Sequence, residues 1–493
     1  MYIGIDNGGT VCKAVLFDKE GKQIFEAAED LIMLTPESGH TERDMEALWQ
    51  ANCRILRRIT AESGADPREI KGVAISGHGK GLYLWGKDGK PAMHGIVSTD
   101  SRAWMYPQGW ETDGTADQVF QKTYQKILAC QPASLLCWLR DNRPEVYANI
   151  GWIFECKDYL RFRLTGEAYA ELTDISGSNL LNLETQQYDK DLLALYGLES
   201  VYEALPPLKR AFDPCGRVTA EAAALTGLAE GTVVAGGMFD IDACAIAMDI
   251  TDDENIAVIA GTWSINEYIS KKPVLDKSVM MNSLYCMDGY YLVEECSPTS
   301  AGNLKWFMER FAPDVESYTA FMDLAEGVRP DEQNILFLPY IFGSNYNPQA
   351  KASILGMDSH HSRAHIARAI LEGICFCHKV HIEKLLQNRE HTRAIRLAGG
   401  AAKSPFWVQL FADITELPIE TIETEELGAL GAAMAAAVAV GEYPDFKVAA
   451  QSMVKIKRRA EPKADTFGAY RKKFELYTQV TDALENSWKA FSG

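Results

Sequence analysis

Along the 493-residue chain, short apolar runs closed by glycine turns alternate with stretches of helical period. Residues 2–6 (YIGID) read as a buried strand ending at Asn7-Gly8-Gly9, a run able to turn with positive φ. Residues 11–17 resume as a strand, 18–21 read as a hairpin loop, and 23–28 as a third strand. Residues 44–63 carry a 3.6-residue period, with Leu48, Ile55, Leu56 and Ile59 on one stripe. A further strand at 73–76 runs into Gly77-His78-Gly79-Lys80-Gly81. Halfway along, the opening recurs: an apolar strand at 255–260, a Gly261-Thr262 turn, and a strand at 265–270. Strands alternating with helices predict α/β architecture, and the two similar openings suggest two related domains facing each other. The acidic link at 248–254 places their boundary, giving domains at 1–248 and 249–493.

Composition narrows the partners. A net charge of -19 argues against nucleic acid, which calls for clustered Lys and Arg. An anionic nucleotide would then depend on local dipoles, a few cations and a metal ion. The eleven cysteines show no CxxC pairing, as expected of reduced core thiols. The start lacks a basic n-region, and the Ala-rich run at 427–440 is too short to span a bilayer. The expectation is a cytoplasmic protein without a membrane partner, with 427–440 a closely packed buried helix. The basic run at 455–459 reads as a solvated helix face, and His360, His361 and His365 as helix-capping and surface residues. Tyr470, Phe474 and Tyr477 follow helical spacing and read as core.

Three motifs carry chemistry. In Asp6-Asn7-Gly8-Gly9-Thr10 with Lys13, glycines would let the backbone approach a phosphate while turn N–H groups and the Thr10 hydroxyl donate to it. Asp6, at a strand end, is placed to hold Mg²⁺. An ordinary Asn-Gly turn would read the same way. In Gly236-Gly237-Met238-Phe239-Asp240, a carboxylate after a strand and a Gly-Gly turn could orient a hydroxyl and accept its proton late in phosphoryl transfer. A helix N-cap is the alternative for Asp240. In Gly399-Gly400-Ala401-Ala402-Lys403-Ser404-Pro405, a Gly-Gly turn offers a flat backbone surface for adenine or ribose, with Ser404-Pro405 as N-cap and N1 of the next helix. A tight strand–helix connection would leave the same pattern.

The order of these motifs resembles the FGGY carbohydrate kinases, within the actin, Hsp70 and hexokinase ATPase fold. Supporting landmarks are Lys157–Gly166, Thr173-Asp174, Phe337–Tyr340 and Ala352–Gly373, so the resemblance spans nearly the whole chain. It implies two actin-like (ribonuclease H-like) α/β domains flanking a deep catalytic cleft, with the sugar and base in the first and ATP in the second. By resemblance, Asp6 and Asp240 are metal-site carboxylates and Asp240 is the catalytic base. Asn7, Gly8, Gly9, Thr10 and Lys13 belong to the first phosphate loop, and Gly261 and Thr262 to the second. Gly302 and Lys305 belong to a helix over the base, and Gly399, Gly400 and Ser404 to the nucleotide turn. Sugar contacts fall on His78, Lys80, Asp100 and Arg102.

Departures from the family pattern are Ser134–Cys137 where a lysine usually precedes the Trp138 position, Phe239 in the catalytic loop, Trp263-Ser264 after the second phosphate loop, and Ser98 without the usual tryptophan. The combination of His78-Gly79-Lys80-Gly81, Ser98-Thr99-Asp100-Ser101-Arg102 and Gly236-Gly237-Met238-Phe239-Asp240-Ile241-Asp242 looks most like the branch that phosphorylates L-xylulose to L-xylulose 5-phosphate. D-xylulose, ribulose, 3-keto-L-gulonate and glycerol are the alternative acceptors, and a non-enzymatic actin-fold ATPase is the alternative class. Members of the family are often dimers, so a homodimer is a further expectation of the resemblance.

Overall fold

The computed structural model describes residues 1–344, 347 and 349–491; of the domain placed at 249–493, residues 345, 346, 348, 492 and 493 lie outside them. An antiparallel meander opens the chain, β1 (Tyr2–Asn7), β2 (Val11–Phe17) and β3 (Gln23–Asp30). Helix α1 (Met45–Glu62) follows, capped by Asp44, whose carboxylate accepts from Ala47 N at 2.9 Å. Its apolar stripe then leads into β4 (Gly72–Gly77), laid parallel to β1. After α2 (Cys156–Thr165), β5 (Pro214–Arg217), β6 (Val233–Ala235) and β7 (Met238–Phe239) complete the sheet before α3 (Asp240–Ala247). The strand order is β5-β6-β4-β1-β2-β3, with β7 also on β4.

The second half repeats this plan. Strands β8 (Asn255–Ala260), β9 (Ser264–Ser270), β10 (Met281–Leu284) and β11 (Tyr291–Ser297) precede helices α4 (Gly302–Phe311), α5 (Tyr318–Glu326) and α6 (Arg363–Leu386). Next come β12 (Ala394–Gly399), α7 (Pro405–Thr415), β13 (Ile419–Ile422), α8 (Leu427–Ala439), β14 (Ile456–Ala460) and α9 (Phe467–Leu484). The order is β10-β11-β9-β8-β12-β13-β14. In each sheet an antiparallel trio (β3-β2-β1 and β11-β9-β8) is extended by two parallel strands (β4, β6 and β12, β13). The repeat that two short openings suggested is therefore a repeat of topology.

Helix α8 packs on the first sheet, and its composition follows from how close it comes. A Cβ on Gly4 would lie 1.7 Å from the Ala429 carbonyl oxygen, and one on Gly431 would lie 2.2 Å from that of Ala243 in α3. Only glycine fits at these two contacts, and the small alanines around them let the backbones come this close. Tyr470 and Tyr477 are buried against α6, as their spacing predicted. His365 completes the capping box of α6, its Nδ1 accepting from Ser362 N at 3.1 Å, while His361 Nδ1 accepts from Asp358 N at 2.9 Å in the turn before it.

Two expectations need correction. Gly8 and Gly9 do not have positive φ, while Gly21 in the hairpin loop does, at 75°. The basic run at 455–459 is not a helix face: it lies in and beside edge strand β14, paired antiparallel with β13. Charged residues on an exposed edge discourage pairing with another chain. All eleven cysteines are free thiols, and no described helix is long and apolar enough to cross a membrane.

Candidate active site

Strand register brings the first two motifs together. Ser76 of β4 pairs with Asp6 of β1 on one side and with Met238 of β7 on the other. Asp6 is the next-to-last residue of its strand, and Asp240 follows Phe239 as the first residue of α3, so the two carboxylates emerge beside the same strand end. Phe239 occupies the cap position of α3 without a side-chain capping bond, so Asp240 is not spent as an N-cap. Both aspartates keep partial solvent access.

Distant residues hold the Asp240 loop in shape. The Arg161 guanidinium donates to Gly236 O at 2.6 Å, and Phe239 N donates to Thr173 Oγ1 at 2.9 Å. Thr173 Oγ1 in turn donates to Glu171 Oε2 at 2.7 Å. Gly237 has φ of 75°, and a Cβ there would lie 2.0 Å from Ile75 O, so the turn requires glycine. Lys157 underlies the loop, 3.0 Å from Asp158, 3.2 Å from Asp174 and 3.4 Å from Glu171, all buried. Residues at the landmarks around 157–166 and 173–174 thus form a buried charge network that positions the Asp240 loop.

Electrostatics favour a proton acceptor. Burial, then the neighbouring Asp6 and Asp174, push the Asp240 carboxyl well above the usual carboxylate range, while Lys80 pulls it down. Burial lifts Asp6 to about 6, against a hydrogen bond from Ser76 Oγ at 3.1 Å. On the second domain, Glu267 and Glu294 pair across β9 and β11. Both Glu267 oxygens, Glu294 Oε2 and Asp242 Oδ2 are buried without hydrogen-bond partners. Burial and neighbouring acids push the Glu267 and Asp242 carboxyls well above the usual carboxylate range as well.

The four sugar-contact candidates divide. Lys80 adopts φ of 64°, and its Nζ lies 5.3 Å from the Phe239 ring centroid. A Cβ on Gly79 would come within 2.5 Å of that ring, so the unusual Phe239 and Gly79 are complementary. His78 is 5% exposed, its Nε2 2.9 Å from Tyr83 OH and its Nδ1 without a partner. Burial, with Arg43 nearby, lowers its pKa to about 3, so the ring is neutral. Asp100 and Arg102 satisfy each other. Arg102 donates to both Asp100 oxygens at 2.8–3.0 Å, and Thr41 N donates to Asp100 Oδ2 at 2.7 Å. Arg102 also reaches Glu42 at 2.8 Å and stacks 5.1 Å over Trp138. With the Asp100 side chain 0% exposed, this pair shapes the loop behind the cleft; an Asp100 open to two sugar hydroxyls is not what the structure shows.

The two candidate phosphate loops have open space beside their glycines. A Cβ on Gly9 would meet nothing within 4 Å, and one on Gly261 nothing closer than 3.9 Å, so neither glycine is required by protein packing. Thr10 and Thr262 are exposed beside them. The Asn7 side chain turns away, its amide exchanging hydrogen bonds with Asn52 at 2.9 and 3.1 Å, so only its backbone could serve the loop. Lys13 Nζ is held 2.7 Å from Glu426 and 3.4 Å from Glu26, a bridge between the two halves of the chain.

In the second domain Ala260 pairs with Gly399, setting the second phosphate loop beside the Gly-Gly turn. A cavity of 730 Å³ opens there, lined by Gly261, Thr262, Gly302, Lys305, Gly400 and Ser404 among others. It therefore gathers the second-domain nucleotide candidates except Gly399. Ser404 is the N-cap of α7, accepting from Trp407 N at 3.3 Å, with Pro405 following. Lys305 is 69% exposed and 3.9 Å from Glu309. Gly399, at φ of 84°, backs onto Ala260 O and does not line the cavity.

Sequence reading missed Tyr318, Met322 and Asp323 of α5 and Phe406 of α7, which form the far wall of this cavity. The i, i+4, i+5 spacing in α5 marks one helix face, but nothing local says what that face meets. It also missed Glu267 and Glu294, since single acids within apolar strands carry no motif.

Comparison with known proteins places this architecture. Residues 1–247 match the N-terminal domain model of the FGGY family of carbohydrate kinases, and residues 256–440 match its C-terminal domain model. The chain belongs to the FGGY family of carbohydrate kinases. It is 39% identical to a probable L-xylulose kinase of Pasteurella multocida, over 98% of this chain and 99% of that protein. It is 36% identical to the L-xylulose/3-keto-L-gulonate kinase of Escherichia coli, over 98% of this chain and 97% of that protein. Among solved structures, xylulose kinase from Lactobacillus acidophilus superposes with a TM-score of 0.93 at 26% identity, covering 100% of this chain and 99% of that one.

Proposed function

We propose that the protein transfers the terminal phosphoryl group of ATP to a hydroxyl of L-xylulose, giving L-xylulose 5-phosphate. The observation that carries the choice of sugar is 39% identity over 98% of the chain to a protein named for that substrate. One relative is named for both L-xylulose and 3-keto-L-gulonate, which makes the latter the second candidate acceptor.

In this reading residues 1–248 carry the acceptor and the base, and 249–493 the nucleotide. The 730 Å³ cavity takes the base and ribose of ATP, with the polyphosphate directed along the loops at 8–10 and 261–262. Asp240 orients the acceptor hydroxyl and takes its proton as the bond to phosphorus forms; its raised pKa makes that transfer less uphill. Lys80, beside Asp240 and partly accessible, contacts the sugar, and His78 with the Asp100–Arg102 pair supports the wall behind it. Lys13 and the Thr10 hydroxyl serve the transferred phosphate. Asp6 and Asp240, oxygen donors at neighbouring strand ends, fit Mg²⁺, which when bound would neutralise phosphate charge.

Eleven free thiols and use of ATP agree with a cytoplasmic setting. A homodimer, taken from the family resemblance, is checked by light scattering. A coupled ADP-release assay across L-xylulose, 3-keto-L-gulonate, D-xylulose, L-ribulose, D-ribulose and glycerol tests the substrate. L-Xylulose should give the highest kcat/KM, and a low rank for it refutes the assignment. Asp240→Ala should bind ATP normally and lose nearly all sugar-dependent turnover.

A further inference from the structure

Two loops that wall the nucleotide cavity, 261–264 and 300–302, come from separate parts of the chain, and one buried side chain touches both. His378, in the middle of α6, is 0% exposed. Its Nδ1 lies 2.8 Å from Asn266 Oδ1 and 3.0 Å from Ser264 Oγ, while Nε2 lies 2.8 Å from Ser300 Oγ. The Phe411 ring packs against it edge-on, centroids 5.4 Å apart.

The bonding fixes where the proton sits. Asn266 Nδ2 donates to the Glu295 carbonyl at 3.2 Å, and a carbonyl can only accept. The Asn266 amide must therefore turn its oxygen toward the imidazole. An acceptor facing Nδ1 requires the proton on Nδ1; burial, with His381 nearby, lowers the pKa of the ring to about 3 and keeps it neutral, so Nε2 carries a lone pair to which the Ser300 hydroxyl donates. Asn266 Nδ2 also donates to Ser264 Oγ at 3.1 Å, closing the ring of contacts on the second phosphate loop. Between the two loops the backbone supplies a Gly302 N to Gly261 O bond of 3.3 Å, long for its type. A buried imidazole costs more to desolvate than leucine at the same site. Here its bonded contacts all lead to the two cavity walls.

We propose that His378, as the neutral Nδ1–H tautomer, is a positioning residue that clamps the second phosphate loop to the turn opening α4 and so sets the width of the nucleotide site. This rests on the assignment of the 730 Å³ cavity to ATP. Glutamine also presents one donor and one acceptor flanking a single carbon, so it can replace much of the clamp, whereas leucine cannot.

Steady-state kinetics on His378→Leu, His378→Gln and Ser300→Ala test this, with melting temperatures recorded alongside. His378→Leu should raise the KM for ATP about 10- to 100-fold and leave the sugar KM near wild type, as expected for the loss of one or two bonds. His378→Gln should recover most of that loss. Ser300→Ala, a one-atom deletion that should fold if His378→Leu does not, should raise the ATP KM and be non-additive with His378→Leu. In protein labelled with ¹⁵N-histidine, His378 should show a protonated Nδ1 and an unprotonated Nε2. A wild-type ATP KM in both Ser300→Ala and His378→Leu overturns the clamp, as does an equal rise in the sugar KM or the opposite tautomer. Gly400→Val, which puts a side chain into the same cavity, separates the two levels. If it leaves the ATP KM unchanged, the cavity assignment fails; if it raises the KM while the other two variants do not, only the clamp fails.

Discussion

Replacing Thr173 by valine changes no volume to speak of, touches no substrate, and should still disable the enzyme. Thr173 Oγ1 bridges Phe239 N at 2.9 Å and Glu171 Oε2 at 2.7 Å, with all three residues buried. Valine keeps the shape and removes both bonds. The Phe239 N–H then has no acceptor, which costs about 1–3 kcal/mol. Glu171 Oε2 keeps Lys157 at 3.4 Å and Asp174 N at 3.4 Å, so its loss is smaller, roughly 1 kcal/mol. The sum, about 2–4 kcal/mol, corresponds to a fall in melting temperature of about 2–4 °C for a chain of this size unfolding as one unit. Asp240 is the next residue after Phe239, and a displacement of about 1 Å at a catalytic group costs about 100-fold in rate. Calorimetry and a coupled ADP-release assay should therefore find a less stable protein. Its kcat should be down about 10- to 100-fold, with an ATP KM within about twofold of wild type. Thr173→Ser, which restores the hydroxyl, should return most of both. A Thr173→Val protein with wild-type kcat and melting temperature would refute the idea that this hydroxyl holds the catalytic loop, and so would a serine variant as damaged as the valine one.

Asp240→Asn should be inactive yet more stable without ligands. A carboxyl whose folded pKa is raised contributes stability that is present below the ordinary carboxylate value of about 3.9 and is lost as pH rises through the folded pKa. The asparagine variant should accordingly melt above wild type at pH 8, with the gap closing as pH falls toward about 4. A variant that melts below wild type at pH 8 would contradict the burial of that charge. The acid limb of wild-type kcat should lie well above the ordinary carboxylate range, and Lys80→Met should move it to still higher pH, because the one neighbour lowering the Asp240 pKa by its charge is removed. Glu372 receives Arg368 at 2.7 Å and Lys473 at 2.8 Å in the interior of the second domain. Glu372→Ala strands two buried cations and should cost about 3–5 kcal/mol by denaturant titration. A loss under about 1 kcal/mol would show that water reaches the pair.

Much of this protein is legible in its sequence because the relevant physics is local. Glycine at a turn, Ser404-Pro405 at a helix start and alternation in a short apolar run are each decided within a few residues, and the order of three such motifs identified the family. The Ala-rich stretch at 427–440 likewise announced close packing, although not that its partners would be Gly4 and Ala243. Tertiary structure decided which residues meet. Asn7 sits in the phosphate motif, but its side chain is spent on Asn52 in α1, and Asp100 is spent on Arg102 and the Thr41 N–H. Thr173 and Arg161 acquired roles at the catalytic loop only through contacts 66 and 75 residues away. His378 acquired one through contacts 78 to 114 residues away. Hydrogen-bond and charge partners carry no period and no fixed spacing, so a chain read in one dimension cannot pair them. The sheet register that sets Asp6 and Asp240 on either side of one strand end is what turns separate motifs into a site.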